Sequence, residues 1–147
     1  MLAGCGFQLQ GAFTTPAEME RTYIAAENRH SVFYQRLRRQ LQASGVEIVD
    51  TPIEATAEFV ILRDDTGQRV LSVSGRNVPR EFEVFYTVQY QVVSGQNTVM
   101  EPRQQTLARD YTWDETLVLG KEHEQETMRD ALADDLVRVI LIQLDAL

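Results

Sequence analysis

The chain has one cysteine, one lysine and two histidines in 147 residues, and each scarcity removes a class of function. A single cysteine, Cys5, excludes a disulfide within the chain. His30 and His123 stand far apart. His123-Glu124-Gln125-Glu126 begins like a His-Glu-x-x-His zinc motif, but position 127 is Thr, so the second ligand is missing and the run reads as the solvated start of a helix. No Gly-x-Ser-x-Gly elbow and no phosphate-binding glycine loop occurs. Glu81 and Glu83 share one strand face, and they read as a wet sheet edge rather than a catalytic carboxylate pair. No enzyme, metal or cofactor is therefore expected. Positive charge is also short. Fourteen Lys and Arg face 22 Asp and Glu, and a net charge of −8 argues against nucleic acid, which demands a basic face. No apolar run reaches the roughly 18 residues of a membrane-spanning helix.

What is present begins at the start of the chain. Leu2-Ala3-Gly4-Cys5 matches a bacterial lipobox, in which a peptidase cuts before the cysteine and the thiol receives lipid. Small residues before the cut suit a peptidase groove, and this cysteine precedes every periodic segment. Cys5 is thus the expected lipid-attachment residue, and a tail without a shaped pocket makes it a poor nucleophile. Met1 stands directly against Leu2, where a lipoprotein precursor carries a basic segment and an apolar run, so an export signal is expected to have been trimmed from this chain. Acyl chains at Cys5 would hold the rest to a membrane, each buried methylene contributing roughly 0.8 kcal/mol.

Residues 1–16 read as the lipobox remnant and a tether, and 17–147 as one domain, a length sufficient for a real core. Arg21 to Glu27 is a first strand. Ser31 is placed to cap a helix over Val32–Ser44, with Phe33, Leu37 and Leu41 as its buried stripe, Arg36, Arg38 and Arg39 on other faces, and Gly45 ending it. Glu47 to Asp50 is a short extended piece. Thr56 to Asp64 is a strand with Phe59, Ile61 and Arg63 on one face, Asp65-Thr66-Gly67 turns or kinks the chain, and Val70 to Ser74 resumes the pattern. Gly75 to Arg80 is a hairpin loop. From Glu81 to Val93 the alternation is long and strict, with Phe82, Val84, Tyr86, Val88, Tyr90 and Val92 on one face. Gly95-Gln96-Asn97 turns into a last strand within Thr98–Trp113. A final helix, Glu122 to Leu144, carries Met128, Leu132, Leu136, Ile140 and Leu144 every fourth residue, with Val139 widening the stripe. Two amphipathic helices need an apolar sheet face, so the expected fold is α+β, two helices on one side of a four-stranded, mainly antiparallel sheet. The other sheet face is polar except for Phe85.

Several of these blocks also carry a family likeness. Cys5-Gly6-Phe7-Gln8-Leu9 resembles the mature N-terminus of the LPS-assembly lipoproteins of the LptE family. Arg38-Arg39-Gln40-Leu41 with Gly45-Val46-Glu47-Ile48-Val49-Asp50 resembles the family's first helix and its exit, and Glu81-Phe82-Glu83-Val84 its long middle strand. The resemblance implies an outer-membrane lipoprotein that binds lipopolysaccharide, plugs the export barrel LptD from the periplasmic side, and helps deliver lipopolysaccharide to the outer leaflet. It also directs attention to Arg76, in the hairpin loop, and to Lys121, before the second helix, as contacts for the anionic ligand, with Arg80 close enough in sequence to join them. An acidic protein binds such a ligand only through a local basic patch. Two other classes stay open at this point: an outer-membrane lipoprotein that only scaffolds or serves a lipid transporter, and an envelope hydrolase.

Overall fold

The computed structural model describes residues 13–112 and 120–147, with the Lys121 side chain outside the description. Strands are β1 (Arg21–Ala25), β2 (Glu47–Val49), β3 (Ala57–Val73), β4 (Pro79–Ser94) and β5 (Asn97–Thr112); helices are α1 (Val32–Ala43) and α2 (Lys121–Asp145). Short 3-10 turns precede β1 and β3. The lipobox around Cys5, Trp113 and most of the connector to α2 lie outside the described residues.

The five strands form one sheet in the order β2-β1-β3-β4-β5. Long antiparallel ladders join β3, β4 and β5, whereas β1 pairs in parallel with β2 and β3. The α+β architecture is the expected one, with both helices packed on the sheet. The fifth strand is the short extended piece at Glu47–Val49: α1 carries the chain from β1 back to a parallel edge position, as a parallel pairing requires a crossover.

Local chemistry explains α1. The Ser31 side chain accepts the Tyr34 N–H at 3.1 Å, satisfying a donor that no helical carbonyl can reach. At the other end Gly45 adopts φ +90°, its N–H bonds Gln42 O at 3.0 Å, and the Val46 N–H bonds Leu41 O at 3.0 Å. A residue with a Cβ would be strained there, and the two bonds satisfy the last carbonyls. Phe33, Leu37 and Leu41 are buried, and they meet Leu132, Leu136, Ile140 and Leu144 of α2 over the Val84–Val92 face of β4. Phe59 and Tyr90 stack across β3 and β4 with centroids 5.5 Å apart. The α2 stripe is widened by Ala133, Val137 and Leu141 rather than by Val139, which is only part-buried.

Two strand expectations need correction. Asp65-Thr66-Gly67 neither turns nor interrupts the chain: β3 runs unbroken through it. Arg63 is not on the face of Phe59 and Ile61. The ladder shifts between Ile61 and Arg63, opposite Tyr90 and Gln89, so Leu62 is an extra, bulged residue. Beyond it the core-side positions of β3 become Asp64, Thr66, Gln68 and Val70, opposite Val88, Tyr86, Val84 and Phe82, while Arg63 moves to the outer face. The β4–β5 ladder is irregular between Tyr90 and Val92, opposite Met100 to Arg103 on the edge strand β5, where Pro102 is tolerated.

On the outer face Phe85 lies across Gly67. A Cβ at Gly67 would stand 3.0 Å from Phe85 Cζ, so the ring occupies the space a side chain would take. The Arg69 guanidinium caps the same ring at 5.8 Å and pairs with Glu83.

Candidate functional site

The β3–β4 hairpin reaches beyond the helix-covered core and ends in a tight turn. Ser74 N donates to Val78 O at 2.7 Å and Asn77 N to Ser74 O at 2.9 Å. Asn77 takes φ +60°, a conformation its short polar side chain tolerates. Ser74 Oγ accepts the Arg76 N–H at 3.4 Å and the Val78 N–H at 3.3 Å. The Arg76 backbone is therefore held while its side chain is exposed at the tip. Arg80 is also exposed, on β4, where its position continues the helix-side alternation of Phe82 and Val84. Neither arginine has a carboxylate partner among the described residues.

Lys121 is the first residue of α2. Gln125, one turn on, donates to Tyr111 Oη at 2.6 Å and also to Gln68 Oε1. Tyr111 lies opposite Phe82 and Gln68 opposite Val84, so the start of α2 is anchored over that stretch of β4. The helix then runs toward Gln143, which accepts the Tyr90 hydroxyl. Lys121 precedes Gln125 by about 6 Å of helix rise, and Arg80 precedes Phe82 by about 7 Å of strand. The fold thus brings the Lys121 backbone and Arg80 to the same end and same face, with Arg76 farther out at the tip.

Sequence reasoning missed the apolar companions of these charges. Val70, Leu71, Val73 and Val78 are 47%, 46%, 54% and 39% exposed, and they flank the turn that carries Arg76. Their strand alternation was readable; that the core ends before them was not. Exposed apolar residues gathered around unpaired cations suit a ligand with both phosphate and hydrocarbon.

The strongly perturbed titrating groups lie elsewhere and are structural. Burial pushes the Tyr90 hydroxyl up to about 12. Burial also raises Tyr86, assisted by its hydrogen bond to the Asp64 carboxylate. Among the described residues no group of three or more His, Cys, Asp and Glu is placed to hold a metal ion, and no helix is long and apolar enough to cross a membrane.

The family model for lipopolysaccharide assembly, LptE, matches residues 19–144, nearly all of the described domain. The chain belongs to the LptE family. It is 29% identical over 145 residues to the LPS-assembly lipoprotein LptE of Yersinia enterocolitica, covering 95% of this chain and 70% of that protein. The Yersinia pestis LptE is 28% identical over 144 residues, covering 95% and 69%. Among solved structures, the solution structure of lipoprotein B from Nitrosomonas europaea superposes with a TM-score of 0.79 at 26% identity, covering 96% of this chain and 91% of that one. The rare lipoprotein B of Shewanella oneidensis shares the fold, with a TM-score of 0.72 at 20% identity over 86% of this chain and 94% of that one. As an LptE-family member the protein is an outer-membrane lipoprotein of lipopolysaccharide handling.

Proposed function

We propose that this protein binds lipopolysaccharide at the end of the domain formed by the β3–β4 hairpin and the start of α2, through Arg76, Arg80 and Lys121. In this reading it plugs the LptD barrel from the periplasmic side and is tethered to the outer membrane by lipid on Cys5. It passes lipopolysaccharide toward the outer leaflet as the barrel's assembly partner. The observation that carries this reading is the pairing of family and surface: in an LptE-family chain of net charge −8, the end of the β3–β4 hairpin presents Arg76 at its tip and Arg80 at the start of β4, neither with a carboxylate partner among the described residues, beside four exposed aliphatic residues. Phosphate binds such guanidiniums by charge-assisted hydrogen bonds, and acyl chains gain from covering the aliphatic surface.

The barrel part of the reading is tested by coexpression with LptD and size exclusion. One stable complex is expected, in which trypsin cuts after Arg76 and Arg80 far more slowly than in the free protein, because exposed hairpin tips are preferred nicking sites. Separate elution, with equal cleavage in both samples, would point to a scaffold that does not enter the barrel.

A further inference from the structure

The described arginines other than Arg76 and Arg80 differ in their partners, and Arg103 and Arg129, on β5 and α2, lie apart from the groups considered next. Arg21, Arg36, Arg63, Arg69, Arg109 and Arg138 each pair with a carboxylate. Arg29, Arg38 and Arg39 have no carboxylate partner among the described residues, yet all three line a single open groove of about 440 Å³ beside α1, together with His30, Tyr34 and Asp50. Three guanidiniums facing one carboxylate repel one another, and in a chain with an excess of 22 acids over 14 bases such a cluster concentrates positive potential in one place.

The groove is built, not merely charged. Tyr34, Arg38 and Gln42 follow one another at four-residue spacing along α1, as do Gln35 and Arg39, so the helix turns all five toward one side. Tyr34 is buried to 8% exposure and gives the groove a firm apolar wall. Arg29 enters from the β1–α1 loop, where its Nη2 donates to Tyr23 Oη at 2.6 Å and its guanidinium lies 5.4 Å from the Tyr23 ring centroid. That stacking holds the fork in place, and among the described residues its other N–H groups have no hydrogen-bond partner. Arg39 donates through Nε to Gln35 O at 3.4 Å, and its two Nη groups have no partner among the described residues. Gln35, Gln42 and Asp50 add neutral and acidic groups that accept or donate to hydroxyls.

We infer that this groove is a second anion site, for a phosphate ester carried on a sugar or polyol: guanidiniums take the phosphate, and the glutamines and Asp50 take hydroxyls. It is separate from the hairpin tip. Ser31 at the start of α1 bonds Asp64, and the ten residues of chain from Asp64 to Ser74 extend roughly 30 Å toward Arg76. The ester could be a free metabolite or the headgroup of an anionic lipid, and the chemistry is shared.

The test uses the whole chain, isotope-labelled for NMR. Glucose 1-phosphate is titrated in one arm, and phosphatidylglycerol–phosphatidylcholine vesicles, against phosphatidylcholine alone, in the other. Binding should shift the amide signals of Arg29, His30 and Arg38 before those of Ser74 to Val78. The variant Arg29→Gln/Arg38→Gln/Arg39→Gln should lose at least about a hundredfold in affinity, since each charge-assisted contact to phosphate is worth roughly tenfold or more. The charge-matched variant Arg21→Gln/Arg63→Gln/Arg138→Gln should stay within about twofold of wild type. Glucose 1-phosphate binding assigns a free ester, and vesicle binding alone assigns a lipid headgroup. Shifts confined to the hairpin tip, equal losses in the two triple variants, or no binding of either probe would overturn the inference, and the wild-type shifts decide it even if a variant folds poorly.

Discussion

The Tyr86 hydroxyl donates to Asp64 Oδ1 at 2.8 Å, and the other oxygen of Asp64 accepts the hydroxyl of Ser31. Ser31 is the residue that caps α1, and Tyr86 Oη in turn accepts the Phe33 N–H at 3.3 Å. One carboxylate, turned toward the core side by the Leu62 bulge, therefore ties the first helix to the middle of the sheet. Asp64→Ala strands two hydroxyls at once, whereas Tyr86→Phe leaves Asp64 bonded to Ser31. Asp64→Ala should cost about 2–4 kcal/mol in urea unfolding and Tyr86→Phe about 1 kcal/mol, with the double variant costing less than the sum. Additive losses, or an Asp64→Ala variant as stable as wild type, would mean the three groups do not act as one network.

Alkali should loosen the same layer. Burial holds the Tyr90 hydroxyl up to about 12 in the folded protein, above the ordinary tyrosine value of about 10. The folded state keeps the proton that the unfolded chain releases first, so this contribution is complete below pH 10 and is lost as pH rises toward 12. Tyr86 shifts in the same direction, from burial first and its bond to Asp64 second. Urea midpoints should therefore fall above pH 10, and Tyr90→Phe should make that fall shallower. A midpoint independent of pH over that window would contradict the burial of these hydroxyls.

Regular periodicity was legible and broken periodicity was not. Ser31, the Phe33–Leu37–Leu41 stripe and Gly45 announce α1 because cap, stripe and stop agree, and β4 is plain because a dozen residues alternate without a fault. Asp65-Thr66-Gly67 has the composition of a turn, but Gly67 is there because the Phe85 ring lies on it, a contact 18 positions away that no local rule contains. A single bulged residue, Leu62, reverses the face of β3 from Arg63 to Val70, and strict alternation from Phe59 and Ile61 therefore misplaces Arg63. β2 spans only Glu47–Val49, too short to show a period. At the candidate site, Arg76 and Lys121 come into view only through the family resemblance, because a charge in a hairpin loop or at a helix start reads by itself as an ordinary exposed residue. The Arg29–Arg38–Arg39 groove could not, because it joins a loop residue to one side of a helix whose arginines otherwise look like ordinary solvated charges.

The core assignment is testable with single charges. Leu132 and Leu136 are 1% and 0% exposed beneath the sheet. Leu132→Asp and Leu136→Asp bury an unpaired carboxylate, which costs several kcal/mol and consumes most of a domain's stability of roughly 5–15 kcal/mol. Loss of the cooperative thermal transition is expected for both, and an unshifted melting curve for either would show that α2 presents a different face.

Lipidation at Cys5 is a separate prediction. Behind a signal peptide, the exported protein should partition into detergent and carry acyl mass at its N-terminus, and Cys5→Ala should abolish both. Acyl mass persisting in that variant would remove the lipobox reading without touching the fold.

Lipopolysaccharide binding by the charge-reversed variant Arg76→Glu/Lys121→Glu tests the central claim most directly. Arg76 stands at a hairpin tip, and Lys121 begins a helix whose first N–H groups and dipole also favour an anion. Each lost phosphate contact is worth about 1.5–3 kcal/mol, so affinity should fall by at least about tenfold, with an unchanged melting curve. In wild type, binding should weaken with salt but persist, because acyl chains on Val70, Leu71, Val73 and Val78 contribute an apolar term that salt does not screen. The control reversal Arg21→Glu/Arg63→Glu, at exposed arginines outside this end of the domain, should bind nearly as wild type. Wild-type affinity in Arg76→Glu/Lys121→Glu, or an equal loss in the control, would contradict the assignment of the ligand to the hairpin tip and the start of α2.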